Sequence, residues 1–153
     1  MQYHKPILLV EDDNIDAMTV KRALKDLGAA NDLVHLNNGE EALEYLKDEN
    51  NKKPCIILLD LNMPKMNGVE FLNIIKADEQ LKQMPVIVLT TSRKQCDILD
   101  TFELSVAGYL VKPVDYEEFV KAISTIKRYW ILSELPDKKM GVRDANFRAN
   151  FVG

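Results

Sequence analysis

Cysteine is scarce in this chain. The 153 residues hold two, Cys55 and Cys96, too few for a disulfide framework. Cys55 opens an apolar run and Cys96 lies in a polar helix start, so both are read as reduced thiols, which fits a cytoplasmic protein. No apolar run approaches the roughly 18–20 residues of a membrane span. The N-terminal Met1-Gln2-Tyr3-His4-Lys5-Pro6 lacks the long apolar stretch of a signal peptide. Basic charge is not in excess: the net charge of −4 argues against nucleic acid as the main partner. Also missing is a Gly-x-x-x-x-Gly-Lys loop, which disfavours a P-loop enzyme. What remains is ordinary for a soluble globular chain, at 46% apolar and 29% charged. The length suits one domain.

Strand-like and helix-like segments alternate five times, which predicts a parallel sheet with helices on both faces. The strands are expected at about Pro6–Val10, Leu33–Leu36, Cys55–Leu59, Val86–Leu89 and Ala107–Val111. The first helix starts from Asp13 or Asn14 as N-cap, buries Val20, Ala23, Leu24 and Leu27, and ends at Gly28. Asn38-Gly39 reads as a turn, followed by a second helix with Ala42, Leu43 and Leu46 inward. Phe71, Leu72 and Ile75 mark the third helix, and Ile98, Leu99 and Phe102 the fourth. The fifth is long, with Phe119, Ile123, Ile126 and Trp130 at helical spacing. Past Pro136 the chain turns polar, which fits a flexible tail, a partner-docking segment or an expression remnant.

Charged or hydroxyl side chains follow four of these strands. They are Glu11 and Asp12, Asp60, Thr90 and Lys112. In an open parallel sheet the carboxyl ends of all strands face one edge, where ligands bind. Glu11-Asp12-Asp13 occupy the place of a phosphate loop. Carboxylates repel bare phosphate but suit Mg²⁺, a hard cation that takes oxygen ligands. Acids here also favour a helix start, and capping explains them equally well taken alone; Asp13 and Asp16 are assigned to capping or to the surface. Asp60 follows four apolar residues, so it needs pairing, a metal or hydrogen bonds. Asn62-Met63-Pro64 separates it from the next helix and leaves it free to act as a nucleophile. Lys112 is the expected counter-ion of the acids, and a Lys112–Pro113 bond in cis form would fix its direction. Tyr109 shares a strand face with Val111.

Taken together, Ile7-Leu8-Leu9-Val10-Glu11-Asp12-Asp13, Leu58-Leu59-Asp60-Leu61-Asn62-Met63-Pro64 with Gly68, Thr90-Thr91-Ser92, and Tyr109 to Lys112-Pro113 resemble the receiver domain of two-component response regulators. The resemblance covers residues 5–136 and leaves 137–153 as a C-terminal tail. It implies a flavodoxin-like, doubly wound, five-stranded parallel sheet in the order 2-1-3-4-5. It implies Asp60 as phosphoacceptor, and Mg²⁺ held by Glu11, Asp12, Asp60 and the backbone carbonyl of Asn62. Lys112 would pair with the phosphoryl group, and Thr90 and Tyr109 would form a switch. Glu11 departs mildly from the family, which often has Asp there. Such a protein is no enzyme in the usual sense; it catalyses only its own phosphoryl transfer and dephosphorylation. Its phosphodonor is a sensor histidine kinase.

A narrower resemblance, carried by Asp60 to Gly68, Leu89 to Ser92, Lys112 to Asp115, and Tyr129-Trp130 with Leu135-Pro136, is to stand-alone cyanobacterial-phytochrome-type regulators. That implies a phytochrome-like kinase. Residues 137–153 are too few for a DNA-binding domain, so an unknown downstream protein is the expected target. Tyr129, Leu132 and Leu135 lie off the core stripe of the fifth helix, so a homodimer through helix four, strand five and helix five is expected. Three other readings fit less well. A haloacid-dehalogenase-type phosphatase wants an Asp where Asn62 stands. A flavodoxin-type carrier wants Ser, Thr and Gly in place of Glu11-Asp12-Asp13. A structural adaptor of the same fold needs neither Asp60 nor Lys112.

Overall fold

The computed structural model describes residues 5–29, 31–112 and 115–132, with the backbone alone for 126, 127 and 129–132. Five strands and five helices alternate along it: β1 (Ile7–Val10), α1 (Asn14–Asp26), β2 (Leu33–Leu36), α2 (Gly39–Lys47), β3 (Ile56–Leu59), α3 (Gly68–Ala77), β4 (Val86–Thr90), α4 (Gln95–Glu103), β5 (Gly108–Val111) and α5 (Tyr116–Leu132). All pairings are parallel, in the order β2-β1-β3-β4-β5. This is the doubly wound sheet expected from the alternation. Among the described residues no helix is long and apolar enough to cross a membrane.

The strands are apolar throughout because both faces are covered. Leu8, Val10, Ile57, Leu59, Val86 and Val88 point to one side, where they meet Phe71, Leu72 and Ile75 of α3 and Ala42, Leu43 and Leu46 of α2. Ile7, Leu9, Ile56, Leu58, Ile87 and Leu89 point to the other and meet Val20, Ala23 and Leu24 of α1 and Phe119 and Ile123 of α5. Each large side chain fully removed from water contributes about 1.5–3 kcal/mol.

Local signals explain the helix ends. Asp13 is the N-cap of α1, and its carboxylate accepts from the Ile15 and Asp16 amides. After α1, Gly28 adopts φ +68° and donates to Lys25 O while Ala29 donates to Leu24 O, a left-handed cap that favours glycine. Asn38-Gly39 is not a free turn: Asn38 caps α2 by accepting from the Glu41 amide, and Gly39 is already helical. Asparagine serves turns and caps through the same side-chain acceptor, so the dipeptide alone does not separate the two. The ladder of β3 begins at Ile56, one residue later than expected, although Cys55 is buried and its amide donates to Pro6 O.

The expected apolar stripe of α4 is not a core stripe. Leu99 and Phe102 are 54% and 52% exposed, and the residue α4 buries is Thr101, whose hydroxyl bonds back to Asp97 O and Ile98 O. Helical spacing identifies a face; it does not say that anything covers it. The length expected of α5 holds. The side chains of Ile126, Tyr129, Trp130 and Leu132 lie outside the described residues, as do the Lys112–Pro113 link, Leu135-Pro136 and the segment 137–153.

Candidate functional site

The strand order reverses between β1 and β3, and their carboxyl ends lie side by side, with Val10 in register with Leu59. The residues that follow, Glu11 and Asp12 on one strand and Asp60 on the other, therefore meet at the switch point of the sheet. One carboxylate oxygen from each lies within 4.8 Å of the others. Glu11 and Asp60 are buried, at 3% and 6% exposure, while Asp12 is exposed and lines a polar cavity of about 470 Å³ with Asn62, Met63, Asn67, Lys94 and Asp97.

Two buried carboxyls at this distance cannot both be comfortably charged. Burial first, and then the hydrogen bond toward Asp60, push the Glu11 carboxyl up to about 9, against the pull of Lys112. Glu11 Oε1 accepts from Lys112 Nζ at 2.7 Å, and Oε2 is buried without a donor. An orphaned oxygen beside two further carboxylates is an all-oxygen donor set, which suits a hard divalent cation.

Asp60 is held in place through its own loop. Its amide donates to Val10 O, and its Oδ1 receives the Asn62 amide at 3.3 Å. Gly68 packs on the same loop. A Cβ there would lie 2.4 Å from Asp60 O and 2.7 Å from Leu61 Cα, so this position excludes any side chain. Asn62 Nδ2 reaches Thr90 Oγ1 at 3.5 Å and Thr91 Oγ1 at 3.4 Å, which closes the side of the site formed by β4.

Thr90 is fully buried at the end of β4, and Tyr109 is half-buried on β5. They are linked by a residue to which the sequence reading gave no role. The Ser92 amide donates to Thr90 Oγ1 at 3.4 Å, and Ser92 O accepts from Tyr109 Oη at 2.9 Å. The Ser92 hydroxyl donates to Asp97 in the first turn of α4. Ser92 thus joins the site to α4 and β5. Its signal was its place in Thr90-Thr91-Ser92, two residues past the strand end.

Lys112 Nζ lies between Glu11 Oε1 and Asp16 Oδ2, each 2.7 Å away. Burial alone would lower the Lys112 pKa, but its bonds to Asp16 and Glu11 outweigh that and raise it. Asp16 was assigned to capping or the surface, and the structure corrects this: its carboxylate is a partner of Lys112. In the sequence Asp16 reads as an ordinary first-turn acid, because its partner is 96 positions away. Asp13 is the cap, as expected.

Acids at the switch point between β1 and β3, with a hydroxyl at the end of β4 and a lysine after β5, are the arrangement of a signalling receiver. The chain belongs to the response regulator receiver domain family, which matches residues 7–124, and is a response regulator. It is 40% identical over 128 residues to the probable methanogenesis regulatory protein FilR2 of Methanothrix harundinacea, covering 82% of this chain and 83% of that one. It is 39% identical over 131 residues to the response regulator Rcp1 of Synechocystis sp., covering 83% and 89%. The structure of the Mn²⁺-bound form of response regulator Rcp1 aligns with a TM-score of 0.78 at 38% identity, over 87% of this chain and 99% of that one. The phosphorylated cyanobacterial phytochrome response regulator RcpA aligns with a TM-score of 0.78 at 36% identity, over 88% and 99%.

Proposed function

We propose that Asp60 accepts a phosphoryl group from the phosphohistidine of a sensor histidine kinase, and that the chain signals through a protein surface that responds to it. The observation that carries this reading is the gathering of Glu11, Asp12 and Asp60 within 4.8 Å at the sheet's carboxyl edge, with Lys112 bonded to Glu11 beside them. An Asp60 oxygen attacks phosphorus, the P–N bond breaks with its electron pair leaving on the imidazole, and an acyl phosphate forms. Glu11, Asp12, Asp60 and the Asn62 backbone carbonyl would hold Mg²⁺, which when bound neutralises and orients phosphoryl oxygens. Lys112 donates to the new phosphoryl group, which adds about −1.5 to −2 of charge and three acceptors. Thr90 turns its hydroxyl toward it, and Ser92 passes that movement to Tyr109 and α4. The only reactions catalysed are this transfer and the later hydrolysis.

The phosphorylated form of RcpA and the Mn²⁺-bound form of Rcp1 support both halves of the reading. RcpA is a cyanobacterial phytochrome response regulator, which supports a phytochrome-like kinase as donor; the chain would act in the cytoplasm. The exposed Leu99 and Phe102 support an output face on α4, β5 and α5, used for a homodimer or a downstream protein. The receiver spans residues 5–136 in this reading, with 137–153 as a tail. Incubation with acetyl phosphate and Mg²⁺ followed by intact mass tests it. One added phosphoryl group is expected on the wild type and none on Asp60→Asn. Labelling of Asp60→Asn at the wild-type rate would overturn the assignment.

A further inference from the structure

Lys112 has a carboxylate partner that the phosphoryl chemistry does not require. Among the described residues its ion pairs are with Glu11 and Asp16, so the ammonium is drawn toward α1 instead of resting on Asp60. An acid in the first turn of a helix ordinarily serves the macrodipole, or turns back to the N-cap amide. The Asp16 side chain does not turn back to the cap but reaches a lysine 96 positions along the chain. The cap of α1 is supplied by Asp13 and engages backbone amides, those of Ile15 and Asp16, so a change of the Asp16 side chain leaves it in place. A cavity of about 240 Å³ between α1 and α5, bordered by Leu89, Thr91 and Phe119, has Asp16 and Lys112 in its wall, so the pair is open to water on that side.

The two acids differ in what it costs to leave them. The ammonium has three N–H donors, two of them engaged. Leaving Glu11, at 3% exposure, strips a buried oxygen of its donor, which is expensive whether or not the carboxyl holds a proton. Leaving Asp16, at 38% exposure, is cheap because water replaces the lysine. The contact that yields to a phosphoryl group on Asp60 is therefore the one to Asp16. We propose that Asp16 is a resting-state counter-ion for Lys112, a positioning residue that competes with phosphorylated Asp60 for the ammonium and so weakens the activated state. This inference rests on the phosphoacceptor reading above.

The test uses beryllium trifluoride with Mg²⁺ as a phosphoryl mimic, titrated calorimetrically into the full chain. Asp16→Asn should bind it about two- to fivefold tighter than wild type, the range expected on losing a partly exposed ion pair. Asp16→Glu keeps the charge and should bind as wild type does. In a Lys112→Ala background, Asp16→Asn should change nothing, because the competitor then has nothing to hold. Equal or weaker binding by Asp16→Asn, or the same gain without Lys112, overturns the inference. A wild-type protein that does not bind the mimic at all fails the phosphoacceptor reading itself, a separate outcome.

Discussion

Mg²⁺ affinity should climb steeply with pH, because the site must lose a proton to take the ion. Burial and Asp60 together raise the Glu11 carboxyl from its ordinary 4.5 to about 9. Metal ligands bind deprotonated. Around neutral pH the metal-free site therefore keeps a proton that Mg²⁺ must expel. One proton released per ion corresponds to a Kd that falls about tenfold per pH unit below that pKa. At pH 7, two units short of about 9, binding should be about a hundredfold weaker than its alkaline limit. Calorimetry between about pH 6.5 and 8.5, run in buffers of different ionisation enthalpy, reads both the Kd and the proton count. Glu11→Gln should remove the pH dependence and the proton release together. A wild-type Kd independent of pH, with no proton released, would refute the reasoning. The same shift has a stability counterpart. The folded protein holds a proton that the unfolded chain sheds above about 4.5, so this contribution is complete below that pH and is lost as pH rises through about 9. Metal-free stability should therefore decline as pH rises across that interval.

Gly68→Ala should lower stability by about 1–3 kcal/mol and slow phosphorylation, since the added methyl meets the Asp60 and Leu61 backbone, which cannot step aside. Thermal melts and acetyl phosphate labelling check it, and an unchanged melting temperature would count against the close approach. Phe102→Glu should weaken self-association measured by sedimentation at micromolar protein, because it charges the exposed face of α4. A wild type that stays monomeric with and without acetyl phosphate would remove α4 as a dimer contact.

The sequence by itself determined the sheet and the carboxyl-edge residues. Strands apolar along their whole length have only one stable setting, between two layers of helices, and the strand ends carry their charged residues to one edge whatever the loops do. Glu11, Asp12, Asp60, Thr90 and Lys112 were legible for that reason. Partnerships across long sequence distances were not. Asp16 looks like any first-turn acid until β5 brings Lys112 within 2.7 Å of it. Ser92 looks like loop polarity until its amide meets Thr90 and its carbonyl meets Tyr109. Nor does periodicity state whether a face is covered: α3 and α4 both carry apolar residues at helical spacing, yet Phe71, Leu72 and Ile75 are buried while Leu99 and Phe102 face solvent. Periodicity is a property of one helix, whereas burial belongs to the layer packed against it, and that layer exists only once the chain has folded.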